Sequence, residues 1–198
     1  MEKKQFLDYI EDKIIKIEND WFFHATDRDI ITIEKILYEG IKCAALRKEK
    51  SQQGYNGKYY VSISKKTNNP QSVYNLFEHL PIFVIKGINP IKADDKNRIF
   101  APFTETILPL RTSSKADEYH AFFKINSSKI IAIAYNLYHT LESEYDFDIY
   151  KLCFLKDLIL LLEKLEKDIP IYDLVSKRQI NKEKVKSLKI DEIDKIIY

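Results

Sequence analysis

A histidine within an aromatic run, a glutamate at the head of an alternating run and a pair of tyrosines opening a third run are the residues best suited to chemistry on a polar substrate. They are His24 in Trp21-Phe22-Phe23-His24-Ala25-Thr26, Glu118 in Asp117-Glu118-Tyr119-His120-Ala121-Phe122-Phe123, and Tyr59-Tyr60 before Val61-Ser62-Ile63-Ser64. An imidazole can donate or accept a hydrogen bond near neutral pH, and a fixed carboxylate can stabilise positive charge developing on a sugar. Singly, each feature is weak. A histidine in an aromatic strand is more often a hydrogen-bonded structural residue, a strand tyrosine is usually core, and a glutamate beside a strand is usually solvated.

The better-known catalytic patterns are missing. Gly57-Lys58 is followed by Tyr59 where a phosphate loop needs Ser or Thr, and Gln52 stands at the position of its leading glycine. Four glycines do not form a dinucleotide fingerprint, so any use of NAD must do without a Rossmann turn. His24, His79, His120 and His139 lack His-Glu-x-x-His or Cys-x-x-Cys company, so no metal is expected. There is no Gly-x-Ser-x-Gly elbow.

The 198 residues suffice for one catalytic domain with a small appendage. Hydrophobic residues at 45% and charged residues at 31% predict a folded chain. The net charge of +2 is the small difference of 32 basic and 30 acidic residues, so no global field draws the chain to nucleic acid or membrane. Cys43 and Cys153 lie far apart, which argues against a disulfide framework and for a reducing compartment. The N-terminus does not read as a signal peptide. The longest apolar run, Leu152 to Leu165, is interrupted by Lys156 and Asp157 and predicts a buried helix, with no membrane span. The expected location is the cytoplasm, or the cytosol of a host or target cell into which the protein is delivered. The excess of Lys, Ile, Asn and Tyr suggests an AT-rich, bacterial or phage genome.

The elements that must position these residues follow from periodicity. Phe6, Ile10, Ile14 and Ile17 form an apolar stripe that predicts an amphipathic helix over 2–18. Residues 21–26 read as a buried strand, followed by a helix capped by Asp27 or Asp29, carrying Ile33, Ile36 and Leu37, and closed by Gly40. A polar loop over 46–58 leads to strands over 59–64 and 82–85, with a short helix after Pro70 between them. Residues 89–115 read as an irregular prolyl region. Tyr119–Ile125 and Lys129–Ala134 read as a hairpin joined by Asn126-Ser127-Ser128, and the pattern beyond Tyr138 is helical. The expected layout is α+β: an N-terminal helix over 1–18, a split β-sheet core over 19–135 and a helical extension over 136–198.

Taken in order, three blocks resemble the His-Tyr-Glu ADP-ribosyltransferases, the superfamily of the poly(ADP-ribose) polymerases and, more loosely, the DNA-modifying DarT toxins. Phe22-Phe23-His24-Ala25-Thr26 with Leu37-Tyr38-Glu39-Gly40-Ile41 resembles their aromatic-His-Gly-Thr strand and following helix. Asn56 to Ser62 is similar to their Phe-Gly-Lys-Gly-Ile-Tyr-Phe segment, Ser64-Lys65-Lys66 through Tyr74-Asn75 to the serine-lysine stretch and second tyrosine, and Asp117 to Phe123 to the strand with the catalytic glutamate. The likeness covers roughly residues 20–135. Ala25 and Tyr59 stand where the family has glycines.

The resemblance implies a glycosyltransferase that cleaves the nicotinamide–ribose bond of NAD and passes ADP-ribose to an acceptor. Glu118 would be the catalytic carboxylate, His24 would hold the adenosine-side ribose, and the Ala25 backbone, beside Thr26 and Ser64, would grip the nicotinamide amide. Tyr74 would stack on nicotinamide, and Tyr60 would be the second-strand tyrosine, with Tyr59 as the alternative register. Bond cleavage builds oxocarbenium-like charge that a carboxylate bonded to the 2-hydroxyl stabilises, and the already cationic leaving group needs no strong acid. Protein, nucleic acid and small molecules all qualify as the acceptor, and a toxin, effector or phage-defence role suits such an enzyme. Rival readings are an RNA 2′-phosphotransferase-like enzyme, for which Arg28, Arg47, Lys48 and Lys50 would supply the cations, and a non-catalytic module binding NAD, ADP-ribose or a protein.

Overall fold

The computed structural model describes residues 8–47, 59–65, 80–92, 98–101, 106–109, 118–137, 149–174 and 176–189. The fold is mixed α+β, built on a large, mostly antiparallel sheet with few helices. In chain order the strands are β1 (Glu11–Ile14), β2 (Phe22–Ala25), β3 (Ile41–Lys42), β4 (Tyr60–Ser64), β5 (Ile82–Ile85), β6 (Ile91–Lys92), β7 (Arg98–Ala101), β8 (Thr106–Pro109), β9 (Glu118–Phe122), β10 (Lys124–Ile125), β11 (Ile130–Tyr135), β12 (Ile171–Asp173) and β13 (Arg178–Ile180). Helices are α1 (Ile30–Glu39), α2 (Ala44–Arg47), α3 (Ile149–Lys164) and α4 (Lys182–Ser187). Among the described residues nine strands form one sheet in the order β1-β13-β12-β11-β5-β2-β4-β9-β6, while β10 pairs with β3 and β7 with β8.

The centre of the sheet reads directly from the sequence. Ile82-Phe83-Val84-Ile85 is buried along its whole length, as befits a strand covered on both faces. On one face Phe22, Val61, Ile63, Phe83 and Ile133 meet Ile33 and Leu37 of α1 and Leu155, Leu158 and Ile159 of α3. On the other, Phe23, Ile82, Val84, Ala132, Ala134 and Leu174 form a smaller core. Helix α1 starts at Asp29, whose carboxylate accepts the backbone N–H groups of Ile31 at 3.3 Å and Thr32 at 3.0 Å. It ends at Gly40, at φ +90°, where the Ile125 carbonyl comes so close that a Cβ would lie 2.2 Å from its oxygen. That approach is what lets β3 and β10 pair, Ile41 opposite Ile125.

Several expectations are corrected. Residues 8–10 are helical, but Glu11–Ile14 is a strand bonded to β13, so no single helix covers 2–18. The apolar stripe is not a core face: Ile10 is fully buried, whereas Ile14 is 76% exposed. The segment beyond Tyr135 is not a purely helical extension, because β12 runs parallel to β11 and, with β13, enlarges the sheet of the core. Within the prolyl region, β6 and the β7–β8 pair supply regular structure. Finally, β9 and β11 do not make a hairpin. Phe123 turns to φ 56°, β10 leaves to join β3, and a 3-10 turn at Ser127–Lys129 sends β11 to β5. Of the loop expected over 46–58, Leu46 and Arg47 instead close helix α2, while 48–58 and the short helix after Pro70 lie outside the described residues. The apolar run falls within α3 (Ile149–Lys164), with Leu152, Leu155, Leu158, Ile159 and Leu162 buried, and no helix among the described residues is long and apolar enough to cross a membrane.

A buried polar knot ties β1 to the far end of the sheet. Glu11, its side chain 1% exposed, accepts from Ser176 Oγ at 3.0 Å and faces Arg178 Nε at 3.3 Å. Asp173, fully buried, accepts the N–H groups of Ser176 at 2.6 Å and Leu137 at 3.3 Å. Burial pushes the Glu11 carboxyl up to about 7; Asp173 and Asp8 add to this, while the Ser176 bond and Arg178 oppose it. Between its ordinary value of 4.5 and about 7, the folded chain therefore binds a proton that the unfolded chain has lost, so stability falls as pH rises through that window. Glu11→Gln is expected to raise stability by about 1–2 kcal/mol at pH 8 and to leave it little changed near pH 4.5, read by denaturant melts at both pH values. Gly40→Ala, which meets both the Ile125 carbonyl and a left-handed φ, is expected to cost roughly 2–4 kcal/mol in the same measurement.

Candidate functional site

The sheet is two runs of strands joined by one bridge. β2 pairs with β5 along its whole length, Phe22 opposite Ile85 through Ala25 opposite Ile82. β4 pairs equally fully with β9, Tyr60 opposite Phe122 through Ser64 opposite Glu118. Between β2 and β4 the register consists of Phe23 opposite Ser64 alone. Continued for two residues it would set Ala25 opposite Ser62. Instead the His24 ring reaches across, its Nδ1 2.8 Å from the Ser62 carbonyl oxygen.

That substitution has two consequences. A carbonyl only accepts, so Nδ1 carries the hydrogen and Nε2 of the neutral ring is the acceptor. Burial holds the His24 ring below the ordinary imidazole range, the Ser62 bond opposing this and the Arg47 charge reinforcing it, so the ring is neutral at physiological pH. The second consequence concerns the backbone. The Thr26 N–H donates to the Pro81 carbonyl at 3.0 Å, toward β5. By the alternation of antiparallel strands, the N–H and carbonyl of Ala25 face the opposite way, toward the side from which β4 has parted. A peptide donor and acceptor are thus offered side by side.

A cleft of about 740 Å³ opens there, within the usual ~300–1,000 Å³ of small-molecule sites. His24, Ala25 and Thr26 from β2 and Tyr60 and Ser62 from β4 line one side. Lys35 of α1, Lys42 of β3 and Arg47 of α2 also line the cleft, as do the acids Asp27 and Glu39, the latter ion-paired with Lys42. Buried Cys43 is also in the wall.

Glu118 is not among the residues lining the cleft; it is reached through Ser62. Strand alternation sends Val61 and Ile63 into the core and turns Tyr60, Ser62 and Ser64 to the face carrying Glu118 and His120. Ser62 Oγ donates to Oε1 of Glu118, and His120 Nε2 lies 3.0 Å from the same oxygen. Among the described residues the hydrogen bonds of this carboxylate fall on Oε1. Burial pushes the Glu118 carboxyl up, but the His120 bond, the Ser62 bond and the His120 charge together outweigh it, holding the group below the usual carboxylate range. Tyr60 stacks on His120 with ring centres 3.7 Å apart and planes at 15°. Burial first and the Glu118 charge second push its phenol up to about 12, so the hydroxyl stays protonated.

Of the residues expected from sequence, His24, Ala25, Thr26 and Tyr60 meet in the cleft, whereas Glu118 lies outside its lining and is linked to it through Ser62. Ser64 is buried on β4 opposite Glu118. Tyr74 lies outside the described residues, as do Lys48 and Lys50; Arg28 is exposed and not among the cleft residues. Tyr59 is buried, 6% exposed, which makes Tyr60 the tyrosine of the cleft. Ser62 and His120 were missed, although the period of two that places Glu118 also places His120 on its face. No group of three or more potential metal ligands occurs among the described residues. Comparison of the chain with protein-family models, curated proteins and solved structures finds no match.

Removing the Ser62 hydroxyl deletes one of the donors that keep Glu118 ionised. In Ser62→Ala the Glu118 carboxyl is expected to titrate at higher pH than in the parent protein, measured by carbon-13 NMR of the labelled carboxyl.

Proposed function

We propose that the protein is an NAD-dependent ADP-ribosyltransferase that cleaves the nicotinamide–ribose bond and transfers ADP-ribose to an acceptor. The observation that carries this reading is the parted β2–β4 edge: a neutral histidine and an open peptide edge on β2 share Ser62 with a carboxylate held ionised on β9.

Each group suits a step. The Ala25 N–H and carbonyl match a primary carboxamide, which offers one acceptor and two donors, and so would orient nicotinamide. His24 Nε2 would accept a ribose hydroxyl. Lys35 and Arg47 would face a diphosphate, Lys42 being paired with Glu39. Glu118 Oε2 would accept the 2-hydroxyl of the ribose next to the breaking bond, and its charge would stabilise the oxocarbenium-like transition state. Because the departing nicotinamide sheds its positive charge as it leaves, no acid is required, and orientation by Tyr60 and the backbone carries much of the rate.

The same cations favour a second reading, an RNA 2′-phosphotransferase-like enzyme, in which the cleft takes a terminal phosphate.

The test is nicotinamide release from NAD by the purified protein, with lysate supplying an acceptor. Glu118→Gln is expected to lose about 10²–10³-fold in turnover while still binding NAD. Release that is unchanged in the variant removes Glu118 from the mechanism. NAD binding without turnover in the parent protein points to a binding module, and transfer of a 2′-phosphate from RNA to NAD establishes the second reading.

A further inference from the structure

We propose that His120 is the positioning residue of this site, one imidazole that fixes the Glu118 carboxylate through Nε2 and backs the Tyr60 ring with its face. The inference rests on the ADP-ribosyl transfer reading for its kinetic consequences, but its geometric basis is independent of the substrate. His120 is 1% exposed and lies opposite Ser62 in the β4–β9 ladder. Its Nε2 is 3.0 Å from Glu118 Oε1, and a carboxylate accepts only, so Nε2 donates. Its ring is stacked 3.7 Å from that of Tyr60.

The other nitrogen is the informative one. Nδ1 of His120 is buried with no hydrogen-bond partner among the described residues. Buried histidines kept for stability generally satisfy both nitrogens, and a phenylalanine here would stack on Tyr60 without leaving a polar atom bare. The imidazole is accounted for by the one thing phenylalanine cannot do, which is to hold Oε1. With Ser62 and His120 both on Oε1, the carboxylate cannot swing, and Oε2 keeps its direction. Tyr60, one face covered by His120, is left with its other face as a flat platform at the cleft wall. A single side chain thus sets both the group that stabilises charge and the ring that orients the leaving group.

The two tasks separate by substitution. His120→Phe retains the stack and removes the donor; His120→Gln restores a donor near Nε2 and removes the stack. Steady-state nicotinamide release, thermal melting and carbon-13 NMR of the Glu118 carboxyl are measured for both variants and the parent. His120→Phe is expected to lower kcat about 10- to 100-fold with KM for NAD within about 3-fold, and to move the Glu118 titration to higher pH. His120→Gln is expected to lower kcat about 3- to 10-fold through the loss of the stack on Tyr60, to raise KM by a similar factor and to leave the Glu118 titration near that of the parent. Equal losses in both variants that follow a fall in Tm, or an unmoved Glu118 titration in His120→Phe, overturn the proposal. If the parent protein releases no nicotinamide, the transferase reading falls by itself. The Glu118 titration then decides alone: a rise in His120→Phe but not in His120→Gln sustains the positioning role, and any other pattern overturns it.

Discussion

The hydrogen bond from the His24 ring to the Ser62 carbonyl is the constraint on which the site depends, because it lets a sheet part without leaving its acceptor bare. Two strands that separate normally lose ladder bonds on both edges, and each orphaned group costs free energy if buried. Here the imidazole takes the acceptor that an Ala25 N–H would otherwise use, and the donor left over opens onto a cleft where water or a ligand can meet it. The separation is tolerable because each strand is secured on its other side. β2 is in register with β5 over four pairs and β4 with β9 over five. Phe22 and Phe23 then pin β2 to the cores on opposite faces of the sheet.

Ser62 is where the two halves of the site meet. Its carbonyl belongs to the His24 side and its hydroxyl to the Glu118 side. Those two bonds need not compete, because the backbone lies in the plane of the sheet while the side chain stands out of it. Val61 and Ile63, buried on the opposite face, hold Ser62 at a fixed height above the core. Packing energy on one face therefore supplies the rigidity of the polar groups on the other. The same alternation accounts for the carboxylate: the strand that buries Ala121 presents Glu118 and His120 together, so a partly desolvated acid arrives with a donor already beside it.

Much of this was legible in the sequence wherever local chemistry and tertiary packing agree. The aromatic run around His24, the alternation from Tyr60 to Ser64 and the uninterrupted apolar run Ile82–Ile85 all became strands, and Asp29 and Gly40 bracket their helix. Legibility failed where long-range pairing overrode local pattern. Ile10 and Ile14 sit at helical spacing, but the open edge of β13 and the Glu11–Ser176–Arg178 contacts recruit that segment as a strand. The Asn126-Ser127-Ser128 signal did mark a turn; what it could not reveal was that Phe123, three residues earlier, had already redirected the chain toward β3. In the site, His24, Tyr60 and Glu118 stood out by their surroundings. Ser62 and His120 did not, because a serine and a second histidine in ordinary strands acquire meaning only when the register sets them opposite one another.

On the transferase reading, the arrangement also separates bond cleavage from the choice of acceptor. The Ala25 edge, His24 Nε2 and Tyr60 of the cleft, with Glu118 linked to them through Ser62, would serve the dinucleotide, and the cations of the cleft would serve its phosphates. Of these groups only His24 Nε2 and the Glu118 carboxylate could take a proton from an incoming nucleophile: His120 is buried beneath Tyr60, and the Tyr60 phenol is held protonated. Burial keeps the imidazole a weak base, and two donors keep the carboxylate ionised and so a weak base as well. A transition state that is mostly dissociated asks little of its nucleophile beyond proximity. Selectivity among acceptors would then come from whatever surface presents a nucleophile to the sugar, and the pocket chemistry could stay the same while that surface changes.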